Sequence, residues 1–259
     1  MKNRHSLLGS GSHKILVLHD WFCDCSSYDS TLNYLNQTDF TYAFLDLRGY
    51  GKSKHIEGNY SLEEVTQDCL ELADFLGWDQ FHVIGHSMTG LAAQHLNLTA
   101  SQRLLSVTAL TPVPATGSPI PADFLEVIQS GVRENDEIAK EIIRTASGGR
   151  YSETFVQYKL EKFRESATVN ARLGYLKMFS ENDISEQVKG LTTPYHVIIG
   201  AWDSEWHSRE VMEQTFVNFY PNTTLSEVAN ASHFPMQETP VFLVSLFENF
   251  ILESTAALK

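Results

Sequence analysis

The stretch FHVIGHSMTGLAAQHL, residues 81–96, contains the pattern that decides the fold. Its nearly continuous apolar run over 81–85 predicts a strand that is buried on both faces. Residues 91–98 form the next helical pattern. The turn Gly85-His-Ser-Met-Thr-Gly90 lies between them, and its small residues allow the strand and the helix to approach closely. Ser87 is therefore expected at the carboxyl end of a strand and beside a helix N-terminus, where free N–H groups create a partial positive field.

The alternation of strand and helix patterns extends on both sides of this turn. Short apolar runs predict further strands at 14–19, 42–47, 104–110, 195–200 and 224–228. Helical patterns follow at 61–76, 208–219 and 240–252. Because strands and helices alternate, we predict an α/β fold with a mostly parallel central β-sheet flanked by helices.

This alternation stops after the strand predicted at 104–110. A loop with four prolines follows, and from about 122 to 186 the pattern is helical, with no convincing strand. We interpret 1–112 and 188–259 as one α/β core, and 113–187 as a helical cap that covers the mouth of the site.

Composition narrows the classes of protein to which the chain can belong. The chain has 259 residues, a hydrophobic fraction of 42% and a net charge of −13, which fit an ordinary globular protein. The acidic balance argues against nucleic acid as a partner. No apolar run reaches the roughly 18 residues of a membrane span, and no signal-peptide pattern is present. We therefore expect a soluble, cytoplasmic protein with no membrane contact.

The cysteines do not indicate a covalent or metal framework. Cys23, Cys25 and Cys69 are odd in number and have no regular spacing, so we expect reduced thiols rather than disulfides. They also lack the paired spacing of a zinc site. We expect neither a metal nor a cofactor.

The turn around Ser87 resembles the nucleophile elbow of the α/β-hydrolases. The family pattern is G-x-S-x-G, whereas this chain has Thr89 at the fifth position and Gly90 one residue later. The segment DLRGYGKS, 46–53, is similar to a second family loop, D-x-R-G-x-G-x-S. We interpret that loop as structural, with Arg48 and Asp46 tying loops together. The resemblance covers roughly 7–111 and 188–255.

The resemblance implies a catalytic triad in the chain order serine, acid, histidine. The segment NASHFPMQETP, 230–240, is similar to the family's histidine loop, so His233 is the expected base. Asp203 ends the sequence GAWD directly after a predicted strand and is the expected acid, with Glu205 as a fallback. The position after the earlier strand, 111–114, contains no carboxylate. The competing interpretations are a surface histidine and an aspartate that only caps a helix.

The same resemblance places an oxyanion hole at two backbone N–H groups. One belongs to Met88, which follows the serine, and the other to Trp21, in the segment HDWF after the first predicted strand. Asp20 stands where the family usually has glycine. Its carboxylate would repel an oxyanion, so we expect the side chain to point away from it.

Taken together, these motifs imply a serine hydrolase that cleaves a small, largely apolar ester, lactone or related acyl substrate through an acyl-enzyme. Apolar side chains beside the expected triad predict a substrate pocket. These side chains are Phe22, Val113, Trp202 and Phe234. The expected partner is a small-molecule substrate, and a homodimer is left open.

Three other interpretations remain open from the sequence. The segment Trp21–Tyr28 has some similarity to the oxyanion loop of cofactor-independent dioxygenases that act on N-heteroaromatic rings. That group, however, typically has histidine after the serine and its acid after the earlier strand, and neither holds here. Hydrolysis of a C–C bond is a related chemistry. A ligand-binding receptor with residual hydrolase activity is the third, and an intact triad argues against it.

Overall fold

A seven-stranded sheet forms the centre of the computed structural model, which describes residues 4–257. Its strands, in chain order β1 to β7, are His5–Gly9, His13–Leu18, Phe40–Leu45, Phe81–His86, Leu104–Leu110, Tyr195–Gly200 and Thr223–Val228. They lie in the order β1-β3-β2-β4-β5-β6-β7. Every neighbouring pair is parallel except β1 with β3. The predicted fold class is confirmed.

Strand β1 is the one described strand that the sequence pattern did not predict. It lies at the sheet edge, pairs only with β3, and has no fully buried residue. An edge strand needs little apolar patterning, because one partner supplies its backbone hydrogen bonds. The central strands β3 and β4 are buried at every position and therefore have continuous apolar runs.

Helices that flank the sheet lie both before and after the long segment between β5 and β6, which is the chain's central insertion. Helices α1 (Leu62–Phe75) and α2 (Met88–Ala100) precede it, and α8 (Arg209–Met212), α9 (Pro235–Glu238) and α10 (Pro240–Ala257) follow it. The Ser61 side chain caps α1 by accepting a hydrogen bond from the Glu64 N–H. Gly77 follows α1 with φ of 69°, a conformation that glycine adopts without strain. No helix within residues 4–257 is long and apolar enough to cross a membrane.

The segment between β5 and β6 contains five helices. They are α3 (Ala122–Arg133), α4 (Asp136–Ala146), α5 (Glu153–Ser166), α6 (Val169–Glu181) and α7 (Ser185–Val188). Backbone hydrogen bonds join this segment to loops that follow two of the strands: the Thr168 N–H donates to the Gly49 oxygen at 2.9 Å, and the His233 N–H donates to the Ala146 oxygen at 3.2 Å. The Trp21 indole N–H also donates to the Arg172 oxygen at 2.9 Å. The helices therefore lie over the carboxyl ends of the strands.

Two local predictions differ from the structure. The helix predicted over 208–219 is a short α-helix, α8, that continues as a π-helical turn over Glu213–Val217. The expected tie between Arg48 and Asp46 is wrong. Arg48 instead binds Asp68 of α1, with Nη2 and Oδ1 2.9 Å apart, because Asp68 is a buried carboxylate within its reach. Asp46 accepts hydrogen bonds from the backbone N–H groups of Cys25 and Lys52 instead.

Candidate active site

Ser87 occupies a sharp turn between β4 and α2. Its φ of 56° and ψ of −116° lie outside the regions that non-glycine residues prefer, a strain of about 1–3 kcal/mol. Neighbouring backbone bonds hold this conformation: the Ser87 N–H donates to the Leu110 oxygen at 3.0 Å, and the Val113 N–H donates to the Ser87 oxygen at 2.9 Å. The turn is therefore fixed by β5 and by the loop that follows it.

Glycine is required on both sides of the turn. A Cβ atom at Gly85 would lie 2.4 Å from the Thr89 oxygen, and one at Gly90 would lie 2.4 Å from Pro112 Cβ. Gly90 stands one residue later than the second glycine of the family pattern. It still makes a close contact with a neighbouring segment, here with Pro112.

Thr89, which replaces the usual glycine, joins the turn to the loop after β2. Its hydroxyl accepts a hydrogen bond from the His86 N–H at 2.8 Å and lies 2.9 Å from the His19 oxygen. The side chain is completely buried. The substitution thus adds a polar link between two strand ends.

The three residues predicted as a triad meet at the carboxyl ends of β4, β6 and β7. His233 Nε2 lies 2.9 Å from Ser87 Oγ, and His233 Nδ1 lies 2.7 Å from Asp203 Oδ2. Because a carboxylate accepts the hydrogen on Nδ1, Nε2 is free to accept the serine proton. Only 6% of the surface of Ser87 and 2% of that of His233 is exposed, so water competes little for these bonds.

Charges around the triad favour an ionised acid and a basic histidine. Burial by itself would raise the pKa of Asp203, but interactions with the His233 and His207 rings outweigh burial and lower that pKa. Burial opposes protonation of His233, and the neighbouring Asp203 carboxylate overcomes this effect and raises the pKa of His233. The arrangement can therefore take a proton from a hydroxyl and hold the resulting imidazolium.

His207, for which no role was predicted, is a second neighbour of Asp203. Its Nδ1 lies 3.4 Å from Asp203 Oδ1, and its ring centre lies 4.6 Å from that of His233. Asp203 and His207 are four residues apart, and this spacing was the signal in the sequence that could have predicted their contact. The fallback acid, Glu205, is exposed in this turn and has no described contact with His233.

Three of these side chains are close enough together to hold a metal ion. The ligand atoms of Asp203, His207 and His233 lie within 4.8 Å of one another. An ion bound by all three would displace the hydrogen bond between His233 and Asp203, so it would compete with the triad rather than support it.

The expected oxyanion donors lie on either side of Ser87. Met88 is the first residue of α2, and Trp21 is held by Tyr50, whose hydroxyl donates to the Trp21 oxygen at 2.9 Å. Within residues 4–257, neither the Met88 nor the Trp21 backbone N–H has a hydrogen-bond acceptor in the protein. Both groups are therefore available to a ligand.

Asp20, which precedes Trp21 in the chain, is completely buried. Its Oδ1 accepts the Cys23 N–H at 2.9 Å, while its Oδ2 faces His86 Nδ1 across 3.8 Å, and neither of these two facing atoms has a hydrogen-bond partner in the described chain. Burial lowers the pKa of His86 to about 3, so this ring is neutral. The Asp20 charge favours protonation of His233. Its orientation relative to an oxyanion stays a prediction.

The four predicted substrate-binding residues are not all brought to the triad. The Phe22 ring centre lies 6.1 Å from that of His233 and 5.5 Å from that of Phe234. Val113 is buried behind Ser87. Trp202 is 52% exposed, and its ring packs against the Arg150 guanidinium at 4.9 Å. It therefore lies at the surface, whereas the other three surround the site.

Glu238 fixes the loop that carries His233. Its carboxylate accepts hydrogen bonds from the backbone N–H of Ser232 at 2.5 Å and of Phe234 at 3.1 Å, on either side of the histidine. The motif quoted from the sequence contained this glutamate, but only the folded loop reveals the contacts that give it a positioning role.

A cavity of about 580 Å³ lies away from the triad, between β1 and the loops that follow β2 and β3. Its lining includes Leu7, Asp29 and Phe44 and none of the triad residues. The triad itself is enclosed under the inserted helices, since Met88 and Phe234 beside it are fully buried.

With this geometry described, the chain can be assigned to a family. It belongs to the alpha/beta hydrolase family, whose model matches residues 15–246. It is 24% identical to 3-oxoadipate enol-lactonase 1 of Acinetobacter baylyi over 80% of this chain and 76% of that one. It is also 24% identical to the pimeloyl-[acyl-carrier protein] methyl ester esterase of Salmonella agona, over 90% of this chain and 91% of that one.

Comparison with solved structures gives the same fold. A hydrolase from Oleispira antarctica superposes with a TM-score of 0.85 and 21% identity, over 97% of this chain and 95% of that one. Some curated relatives match over a shorter region: this chain spans only 29% of the length of one that is 32% identical over 110 residues.

Proposed function

We propose that the protein is a serine hydrolase that cleaves a small ester, lactone or related acyl substrate. The observation that carries this proposal is the buried hydrogen-bond chain from Ser87 Oγ through His233 to Asp203. The esterase and lactonase relatives support the same reaction class.

The first half-reaction forms an acyl-enzyme. Ser87 Oγ attacks the acyl carbon while its proton passes to His233 Nε2, and Asp203 stabilises the imidazolium that results. The N–H groups of Met88 and Trp21 donate to the oxyanion, and each such donor is worth about 10²–10³ in rate. His233 then gives the proton to the leaving oxygen as the bond to the acyl carbon breaks.

Water completes the cycle. His233 takes a proton from a water molecule, whose oxygen attacks the acyl carbon of the Ser87 ester. Collapse of the second tetrahedral intermediate breaks the bond to Ser87 Oγ, which recovers its proton from His233. The free acid leaves. In a lactone, the leaving oxygen stays attached to the acyl chain and departs with it.

Phe22, Val113 and Phe234 are the binding residues that this proposal retains. They would contact the apolar part of the substrate, whereas Trp202 is too far out on the surface to be included. The dioxygenase and receptor alternatives have no comparable observation in their favour: Met88, not histidine, follows the serine, and the triad is intact.

Replacement of Ser87 tests the proposal. Ser87→Ala should remove hydrolysis of 4-nitrophenyl acetate, because within residues 4–257 no other hydroxyl forms a hydrogen bond with His233 Nε2. Ser101→Ala is the control, since Ser101 is exposed at the far end of α2. Equal turnover by Ser87→Ala and Ser101→Ala would reject the proposed nucleophile.

A further inference from the structure

A buried lysine from the inserted helices lies beside the triad and has no counterion among residues 4–257. Lys159 is in α5, and none of its surface is exposed. Its Nζ lies 3.7 Å from the centre of the Phe234 ring, and 3.4 Å from Gln237 Oε1. Lys159 lies on the buried face of α5, between Val156 and Phe163. The helical pattern predicts an apolar side chain at this position.

The polar surroundings of Lys159 are insufficient for its charge. An ammonium group donates three hydrogen bonds, yet Gln237 Oε1 is its single hydrogen-bond acceptor within residues 4–257, and no carboxylate oxygen there lies within 4 Å. Burial of a cation without a partner is costly, and contact with an aromatic face offsets only part of that cost.

Other buried cations of the chain have their charges accommodated by the protein. Arg4 forms two hydrogen bonds with the Asp68 carboxylate. Arg172 has no carboxylate partner among the described residues, but its guanidinium donates to the backbone oxygens of Phe163 and Ala167 and so ties α5 to α6. Lys159 has neither kind of arrangement.

The position of Lys159 connects it to the reacting groups. Phe234, the ring under its ammonium, follows His233 directly, and the ring centres of these two residues lie 5.4 Å apart. Phe234 also contacts Phe22 of the loop after β2. The charge of Lys159 opposes the protonation of His233 that the proposed reaction requires. Without an added anion, the lysine therefore works against both folding and catalysis.

From this unbalanced charge we infer that Lys159 binds a carboxylate group of the substrate, so that the hydrolysed ester or lactone carries a carboxylate on its acyl or leaving part. This inference rests on the proposed serine-hydrolase function. A group with a single negative charge matches a single ammonium, whereas a dianion would add uncompensated charge next to Asp20 and Asp203. Lys159, Ser87 and His233 are all buried, and Phe234 contacts both the lysine and the histidine.

A matched pair of esters tests the inference. The 4-nitrophenyl half-ester of hexanedioic acid ends in a carboxylate, and 4-nitrophenyl hexanoate has the same chain with a methyl end. We expect the wild-type chain to prefer the half-ester in kcat/KM. Lys159→Met should lower the ratio of the two kcat/KM values about a hundredfold, chiefly through KM of the half-ester, because it removes the ammonium group proposed to contact the carboxylate.

Two further variants separate charge recognition from other effects. Lys159→Arg keeps the charge and should recover part of the preference. Lys162→Met makes the same change one turn along α5, at a partly exposed position, and should leave the ratio as in the wild type. An unchanged ratio in Lys159→Met, or an equal fall in Lys162→Met, would overturn the inference.

Inhibition of the wild-type chain gives a test that does not depend on the folding of a variant. The monoamide of hexanedioic acid, which carries one carboxylate, should inhibit turnover of 4-nitrophenyl hexanoate competitively, and the uncharged hexanediamide should inhibit at least tenfold less. Equal inhibition by the two compounds contradicts the inference while leaving the proposed function intact. A wild-type chain that hydrolyses neither ester contradicts both.

Discussion

At the scale of single residues, the site depends on which side chains are charged and which are neutral. Asp203 is an ionised acid with two histidine neighbours, whereas His86, which directly precedes Ser87 in the chain, is held neutral by burial. Among the histidines of residues 4–257, only His233 has a carboxylate on one ring nitrogen and a serine hydroxyl on the other. Environment, rather than residue type, therefore distinguishes the proposed base from the other histidines.

Removal of the Asp203 charge tests the proposed acid. Asp203→Asn should lower kcat by about 10³–10⁴, because the amide cannot stabilise the imidazolium and favours the wrong tautomer of His233. The matched control is Glu205→Gln, two residues along at an exposed position, which should change kcat less than twofold. A larger loss in Glu205→Gln than in Asp203→Asn would reassign the acid.

The raised pKa of His233 predicts the acid limb of the pH profile. His233 acts as a base only when it is neutral, so kcat/KM should fall as pH decreases through its pKa. Because Asp203 raises that pKa, the midpoint should lie above 6.5, the ordinary value for histidine. The measurement is kcat/KM for a neutral ester between about pH 5 and 9, and a midpoint below 6 would contradict the assigned charges.

At the scale of elements, the site is assembled from strand ends that side chains tie together. Thr89 joins the turn after β4 to the end of β2, and Glu238 holds the loop after β7 around His233. The inserted helices add hydrogen bonds to the same loops. The geometry of the triad thus depends on contacts between elements that are far apart in the sequence.

The Thr89 hydroxyl should contribute measurably to stability. Thr89→Val keeps the side-chain shape but leaves the His86 N–H and the His19 oxygen without their buried partner, which should lower the free energy of unfolding by about 1–3 kcal/mol. Thr89→Ser retains the hydroxyl and should lose less. Urea denaturation of the two variants and the wild type measures this difference, and equal stability of all three would show that the link is unimportant.

At the scale of the whole molecule, the sheet order brings distant residues to one edge. Ser87 and His233 are 146 residues apart in the chain, yet they meet because β4, β6 and β7 run parallel and end at the same side of the sheet. The alternation of strand and helix patterns predicted the fold class, and the turn of small residues after a buried strand, a local signal, predicted the position of Ser87. The resemblance of the loops at 200–203 and 230–240 to those of the α/β-hydrolases then implied Asp203 and His233.

Other features required the folded chain. Lys159 and His207 gain their significance from neighbours on different loops, and no local pattern encodes those contacts. The edge strand β1 is defined by its pairing with β3 rather than by its own composition. Trp202 looked like a pocket residue because it precedes Asp203, but the turn directs its ring towards Arg150 and the surface.

The central claim is that Ser87 is a nucleophile activated by His233, and covalent labelling tests it most directly. The protein is treated with a fluorophosphonate at neutral pH, and the modified residue is identified by peptide mass spectrometry. The account predicts one phosphonyl group per chain, located on Ser87, and none on the His233→Ala variant. A wild-type chain that remains unmodified, or that carries the label on another residue, would contradict the account.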